Sequence, residues 1–143
     1  MPGTGQIIGA AVAFVWLGMV LAISFLETPL KFRAPGITVP LGLGIGRLVF
    51  RALNTVEVVL AIALIIALLA DAPGVAGWTL LVVTAALLAT QTLLLRPNLD
   101  RRAQQIITGH SPPPSGLHLI YIGLECLKVP TLMALGAILA TAS

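Results

Sequence analysis

Four long apolar stretches separated by short polar connections set the plan of this chain. Ile7 to Leu26 is 20 residues without a charged side chain, enough at about 1.5 Å per residue to cross a hydrocarbon core about 30 Å thick. The pattern predicts helices over about 7–27, 47–70, 75–95 and 117–140. Asp71-Ala72-Pro73-Gly74 punctuates the second, Arg96-Pro97-Asn98 ends the third, and a Pro/Ser/Gly run precedes the fourth. None of these runs alternates as barrel strands of about 10 residues do, and helices satisfy their own backbone groups in lipid. The chain therefore reads as one all-α domain, a polytopic membrane four-helix bundle. No Lys or Arg precedes Ile7, and Phe25-Leu26-Glu27-Thr28-Pro29 is a poor cleavage site for a removable leader, so the first helix is expected to stay.

Composition sharpens this picture. Of 143 residues, 58% are hydrophobic and 9% charged, with mean hydropathy +1.06; soluble domains carry about 25% charge. A water-facing shell and a disordered chain are both excluded, and the single Cys126 excludes a disulfide scaffold. The net charge of +3 reports topology and not nucleic-acid binding. Seven of the eight basic residues, Lys31, Arg33, Arg47, Arg51, Arg96, Arg101 and Arg102, flank the first and third connections. The positive-inside rule then places those connections in the cytoplasm and both termini outside, N-out/C-out. A bacterial inner membrane is the expected setting.

Polar side chains inside the spans are the informative ones, because at a helix centre Asp, Lys or Arg costs about 2.5–3.5 kcal/mol on insertion scales. Helix two brings Arg47, Arg51 and Asn54 within about 60° of one another at about 100° per residue, with Glu57 at the edge of that face. In helix four, spacings of three, four and three put His118, Tyr121, Glu125 and Lys128 on one stripe. Trp16, Glu27 and Lys31 share a face of helix one, and Gln91 is the polar residue of helix three. Counted from the predicted helix starts, Glu57 and Glu125 lie about 10–15 Å in. The expectation is a charged pocket open to the cytoplasm beneath a dry apolar outer half. Beside it stands a purely structural reading, in which Glu57 and Glu125 neutralise Lys128, Arg51 or Arg47 across helices and fix helix register.

The named chemistries are thinly represented. A di-iron bundle wants Glu-x-x-His on two helices, and neither is present; His110 falls in a loop, so neither a metal site nor haem ligation is expected. Cys126 in an apolar stretch is expected to be inert. Gly42-Leu-Gly44-Ile-Gly46-Arg47 reads as a flexible glycine turn opening helix two, where backbone N–H groups can meet an anion. The segment Ile37-Thr38-Val39-Pro40 reads alternatively as re-entrant.

Two resemblances follow from these residues. Trp16-Leu-Gly18, Ser24-Phe25, Pro29-Leu-Lys31-Phe32-Arg33, the glycines before helix two and Leu117-His118 resemble a family of small four-helix membrane proteins of unknown function, bacterial with eukaryotic relatives. That resemblance implies topology and no chemistry. Arg51-Ala52-Leu53-Asn54-Thr55-Val56-Glu57 resembles the helix-two motif of the membrane-associated eicosanoid and glutathione enzymes, with an arginine-to-asparagine spacing one residue shorter. It implies a homotrimer in which Arg51, Asn54 and Glu57 contact glutathione.

The functional expectation is a small transporter or ligand-binding bundle for a small anionic or amphiphilic ligand, with no cofactor and no metal. Its ligand-binding residues would be Glu57, Glu125, Lys128, Asn54, Arg51, Arg47, His118, Tyr121 and Glu27. The alternatives are a glutathione- or lipid-dependent membrane transferase and an accessory subunit of a larger membrane complex. The balance weighs against an enzyme. Partners would be the lipid bilayer, the ligand, and a homo-oligomer or a membrane partner subunit.

Overall fold

The computed structural model describes residues 1–142. Four helices account for nearly all of them: α1 Thr4–Lys31, α2 Val39–Ala70, α3 Gly74–Ile107 and α4 Leu117–Ala140. All four are long and apolar enough to cross a membrane, and no strand occurs among the described residues. The start of α1 meets the α2–α3 turn, where Gln6 Nε2 donates to the carbonyl of Ala72 at 3.0 Å. Neighbouring helices run antiparallel. Going round the bundle, α1 packs between α2 and α4, and α3 closes the ring against both, leaving α2 and α4 facing each other across the diagonal.

The outward face carries aliphatic side chains, among them Leu48, Leu69, Val75, Leu93 and Leu119, each 67% exposed or more. A monomer in water does not sustain so much exposed apolar surface; lipid tails do. The chain is an integral membrane protein. Inside, the half of the bundle that holds both chain ends is a layer of fully buried leucines, Leu64, Leu68, Leu132, Leu135 and Leu139, with Ala13 and Val20. The backbones of α1 and α2 close up at that end. A Cβ placed on Gly5 would lie 2.5 Å from the carbonyl oxygen of Ala67, so Gly5→Ala should push the helices apart and cost about 1–3 kcal/mol. A lowered unfolding midpoint in detergent micelles checks this.

Two helix limits differ from those the sequence pattern suggests. Helix α2 begins at Val39 rather than about Arg47. Thr38 has extended backbone angles and accepts from the Leu41 N–H at 3.2 Å, an N-cap, and Pro40 occupies the first helical turn. The segment 37–40 is thus a helix start and not a re-entrant piece, and the glycines are helical. The Gly42 N–H is spent on the carbonyl of Thr38 at 2.9 Å. Glycine serves there for space, since a Cβ on Gly42 would lie 2.3 Å from the Phe32 ring. These glycines therefore form no anion-binding turn.

Helix α3 does not stop at Arg96-Pro97-Asn98 but continues to Ile107. A π-helical segment, Thr90–Leu95, immediately precedes that proline, and a second one, Leu21–Glu27 in α1, precedes Thr28-Pro29. A proline ring clashes with the carbonyl four residues back and cannot donate to it; a wider turn just upstream relieves the clash. Side chains take up the loosened carbonyls. Asn98 Nδ2 donates to Leu94 at 2.8 Å, and Thr28 Oγ1 donates to Ile23 at 2.9 Å.

Candidate functional site

The charged stripes of α2 and α4 meet in the middle of the bundle. Lys128 Nζ donates to Glu57 Oε2 at 2.6 Å and to Glu125 Oε1 at 2.8 Å, and all three side chains are essentially inaccessible. Lys128 thus bridges the diagonal between α4 and α2, which the backbones themselves leave open. Each carboxylate takes further donors. Trp16 Nε1 of α1 reaches Glu57 Oε2 at 2.7 Å. Gln91 Nε2 of α3 reaches Glu125 Oε1 at 2.7 Å, and Ser24 Oγ of α1 reaches Glu125 Oε2 at 2.5 Å. Every helix contributes a hydrogen-bonding side chain to this one cluster.

Ser24 and Gln91 belong to the two π segments. At about 100° per residue Ser24 already falls in line with the buried Ala13 and Val20, and Gln91 with the buried Thr84 and Leu88, so each continues the inner face of its helix to Glu125. Helix α4, at 24 residues, is about 36 Å long, and Lys128 lies about 17 Å from its start. Glu57 is about 27 Å from the start of α2, because that helix begins earlier than the charge pattern implies. The cluster therefore lies near mid-height of α4, with Glu125 about 12 Å from the start of that helix, as expected, and Glu57 farther along α2 than expected.

Next along the same stripe, Tyr121 Oη donates to Asn54 Oδ1 at 3.3 Å. Its ring meets Phe50 edge-on, with centroids 5.8 Å apart. The Arg96 guanidinium lies 4.5 Å from the Tyr121 centroid and 4.7 Å from that of Phe50, a cation held by two aromatic rings. Arg96 is also 3.7 Å from Asp100.

From this layer a cavity of about 610 Å³ runs to the end of the bundle that carries the basic connections. Phe25, Phe32, Leu43, Phe50, Ile106 and Ile122 give it apolar walls. Lys31, Arg47, Arg96, Arg102 and His118 supply cations or a titratable ring, and Glu125 lies at its inner limit. Glu27 pairs with Lys31 at the rim, 3.6 Å away, and takes no part in the Trp16–Glu57 contact. Arg47 is held by Gln104 of the α3 extension.

The structure thus brings Glu57, Glu125 and Lys128 together, sets Asn54 and Tyr121 beside them, and lines the cavity with Arg47, His118, Tyr121 and Glu125. Arg51 is the exception: it is exposed, at the edge of the α2 face on which Asn54 and Glu57 are buried. Neither Arg51 nor Arg47 neutralises the buried carboxylates; Lys128 serves both. Arg51, Asn54 and Glu57 therefore do not converge on one site within the chain. Sequence reasoning missed Ser24 and Phe50 as partners and the stacking of Arg96. Ser24 follows the buried Val20 by four residues and so was open to the same spacing argument, whereas Arg96 reaches the rings because α3 runs on past Pro97. Among the described residues no group of three His, Cys, Asp or Glu side chains is arranged to hold a metal ion.

Comparison with protein-family models, curated proteins and solved structures gave no match. Neither resemblance drawn from the sequence gains support from it. What stands is a small four-helix membrane protein.

Proposed function

We propose that this protein binds a small amphiphilic anion in the cavity at its basic end, as a ligand-binding bundle or small transporter, with that end facing the cytoplasm. The observation that carries the reading is the cavity's composition. Its size falls within the range of about 300–1,000 Å³ typical of ligand sites, which are mostly apolar with a few placed polar groups. Its walls are aromatic and aliphatic, while Lys31, Arg47, Arg96 and Arg102 supply four cations against two carboxylates, Asp100 and Glu125. An acid headgroup fits the cations and a short alkyl tail fits the walls. A neutral lipid would leave that excess of cations over carboxylates uncompensated.

The probe is decanesulfonate, a permanent monoanion with a single chain, and decanol is its neutral counterpart. Native mass spectrometry of the protein released from nanodiscs should show retained decanesulfonate at a tenfold lower concentration than decanol or less. Lys31→Ala and Arg47→Ala should each weaken retention by roughly ten- to a hundredfold, since a charged hydrogen bond contributes about 1.5–3 kcal/mol. Equal retention of the alcohol, or no loss in either variant, would overturn the reading. The same spectrum gives the subunit count. A homotrimer that retained added glutathione in place of decanesulfonate would favour the transferase instead.

A further inference from the structure

The charge count inside the bundle does not close. One ammonium, Lys128, faces two carboxylates, Glu57 and Glu125, and the three share an enclosure that no other charged side chain enters. From α1 the cluster meets Trp16 and Ser24, which do not titrate. From α2 it meets Glu57 with Asn54 one turn away, from α3 Gln91, and from α4 Glu125, Lys128 and Tyr121. Arg96, stacked on the Tyr121 ring and 3.7 Å from Asp100, lines the cavity that Glu125 also lines and pairs with Asp100. Inside the enclosure Glu57 Oε1 has no donor, and neither has Gln91 Oε1. Buried acceptors of this kind are rare and call for an explanation.

Resting on the reading of the cavity as an anion site, we infer that the Glu57–Lys128–Glu125 cluster is a proton site in exchange with that cavity through Glu125, and that anion binding is accompanied by uptake of one proton. The proton comes from water at the basic end. One O–H bond forms on a carboxylate, the cluster passes from a net charge of −1 to zero, and no other bond changes. Glu125 suits the transfer because it alone of the three lines the cavity. Its contact with Ser24 outlasts the step: a serine hydroxyl both donates and accepts, so the 2.5 Å hydrogen bond reverses direction when the carboxyl carries the proton. Through Lys128, which touches both carboxylates, the proton can equally reside on Glu57, whose Oε1 is open. An anion arriving beside Glu125 places a like charge near the cluster and favours its protonated form. Linkage makes the effect reciprocal, so a proton in the cluster tightens anion binding.

The test is isothermal titration calorimetry of decanesulfonate into the detergent-solubilised chain in two buffers of different ionisation enthalpy. The difference in heats counts protons, and the probe carries none. Uptake approaching one proton per anion is expected near neutral pH. Glu125→Gln or Glu57→Gln each leaves one carboxylate opposite Lys128, so each should abolish uptake, and Glu57→Gln, which does not line the cavity, should do so while retaining binding. His118→Asn and Asp100→Asn, which alter the other titratable groups lining the cavity, should leave uptake in place. Infrared difference spectra of the unsubstituted chain should gain a protonated-carboxyl band on binding, a readout independent of how well any variant folds. Binding without proton uptake would overturn the coupling alone. Uptake lost in His118→Asn and kept in both Gln variants would do the same. No binding would overturn the functional reading and the coupling with it.

Discussion

Lys128→Met should destabilise the fold by about 3–5 kcal/mol, because removing one member of a buried charge set leaves the others uncompensated. Here two carboxylates lose their cation at once, at a depth where water does not replace it. Lys128→Met combined with Glu57→Gln and Glu125→Gln removes the uncompensated charge and should recover most of that loss, since burying neutral groups is far less costly than burying charge. Unfolding midpoints in mixed micelles measure both variants. A single variant as stable as the parent would show that the cluster carries no structural charge. A triple variant that is stable yet no longer binds anions in a proton-dependent way would separate the packing role from the functional one.

Trp16 should be the second most sensitive position. Its side chain is fully buried in the apolar cluster with Leu17, Val20, Leu64 and Leu132, and its indole N–H is a donor to Glu57. Trp16→Ala should cost about 3–5 kcal/mol through the void it leaves. Trp16→Phe keeps most of the volume and loses the donor, so about 1.5–3 kcal/mol is expected, the range for hydrogen bonds to charged groups. The ordering is the check. If Phe is as damaging as Ala, the indole acts chiefly through its hydrogen bond; if Phe is silent, Lys128 alone holds Glu57 in place.

Much of the architecture was legible from the residues. Four charge-free runs gave four spans, and the three-four-three spacing from His118 to Lys128 put Tyr121, Glu125 and Lys128 on the one face of α4 that is buried. Lys128 was recognisable as the partner of Glu57 and Glu125 because no neutral explanation exists for a lysine in an apolar run. The helix limits were harder. Thr38 and Pro40 form a proper helix start, but the glycines beyond them compete with it in any propensity argument. Pro97 reads as a stop signal, yet α3 continues through it, as α4 continues through Pro130.

The π segments themselves were invisible, because α1 and α3 are apolar nearly all round and offer no periodicity from which a slipped register could be read. Ser24 and Gln91 nonetheless follow the buried Val20 and Leu88 by four and three residues, so their faces could be read while their shared acceptor, Glu125, could not. Arg51 failed for a related reason: its place on the predicted arc depended on a 100° step that carries no information about where the bundle axis lies. Asn54 and Glu57 face that axis, and Arg51 does not.

The leucine layer has an electrical consequence. Between Lys128 and the end of α4 lie 12 residues, about 18 Å of helix, lined inside by Leu132, Leu135 and Leu139 with Leu64 and Leu68 opposite. Where water follows the cavity to Glu125, a transmembrane voltage falls mainly across this remaining thickness. A charge moving from the basic end to Glu125 then does little work against the field. One crossing from the cluster to the far side meets nearly all of it, about 2.3 kcal/mol per elementary charge at 100 mV. The buried lysine and its carboxylates thus mark one edge of the dielectric that insulates the two sides of the membrane.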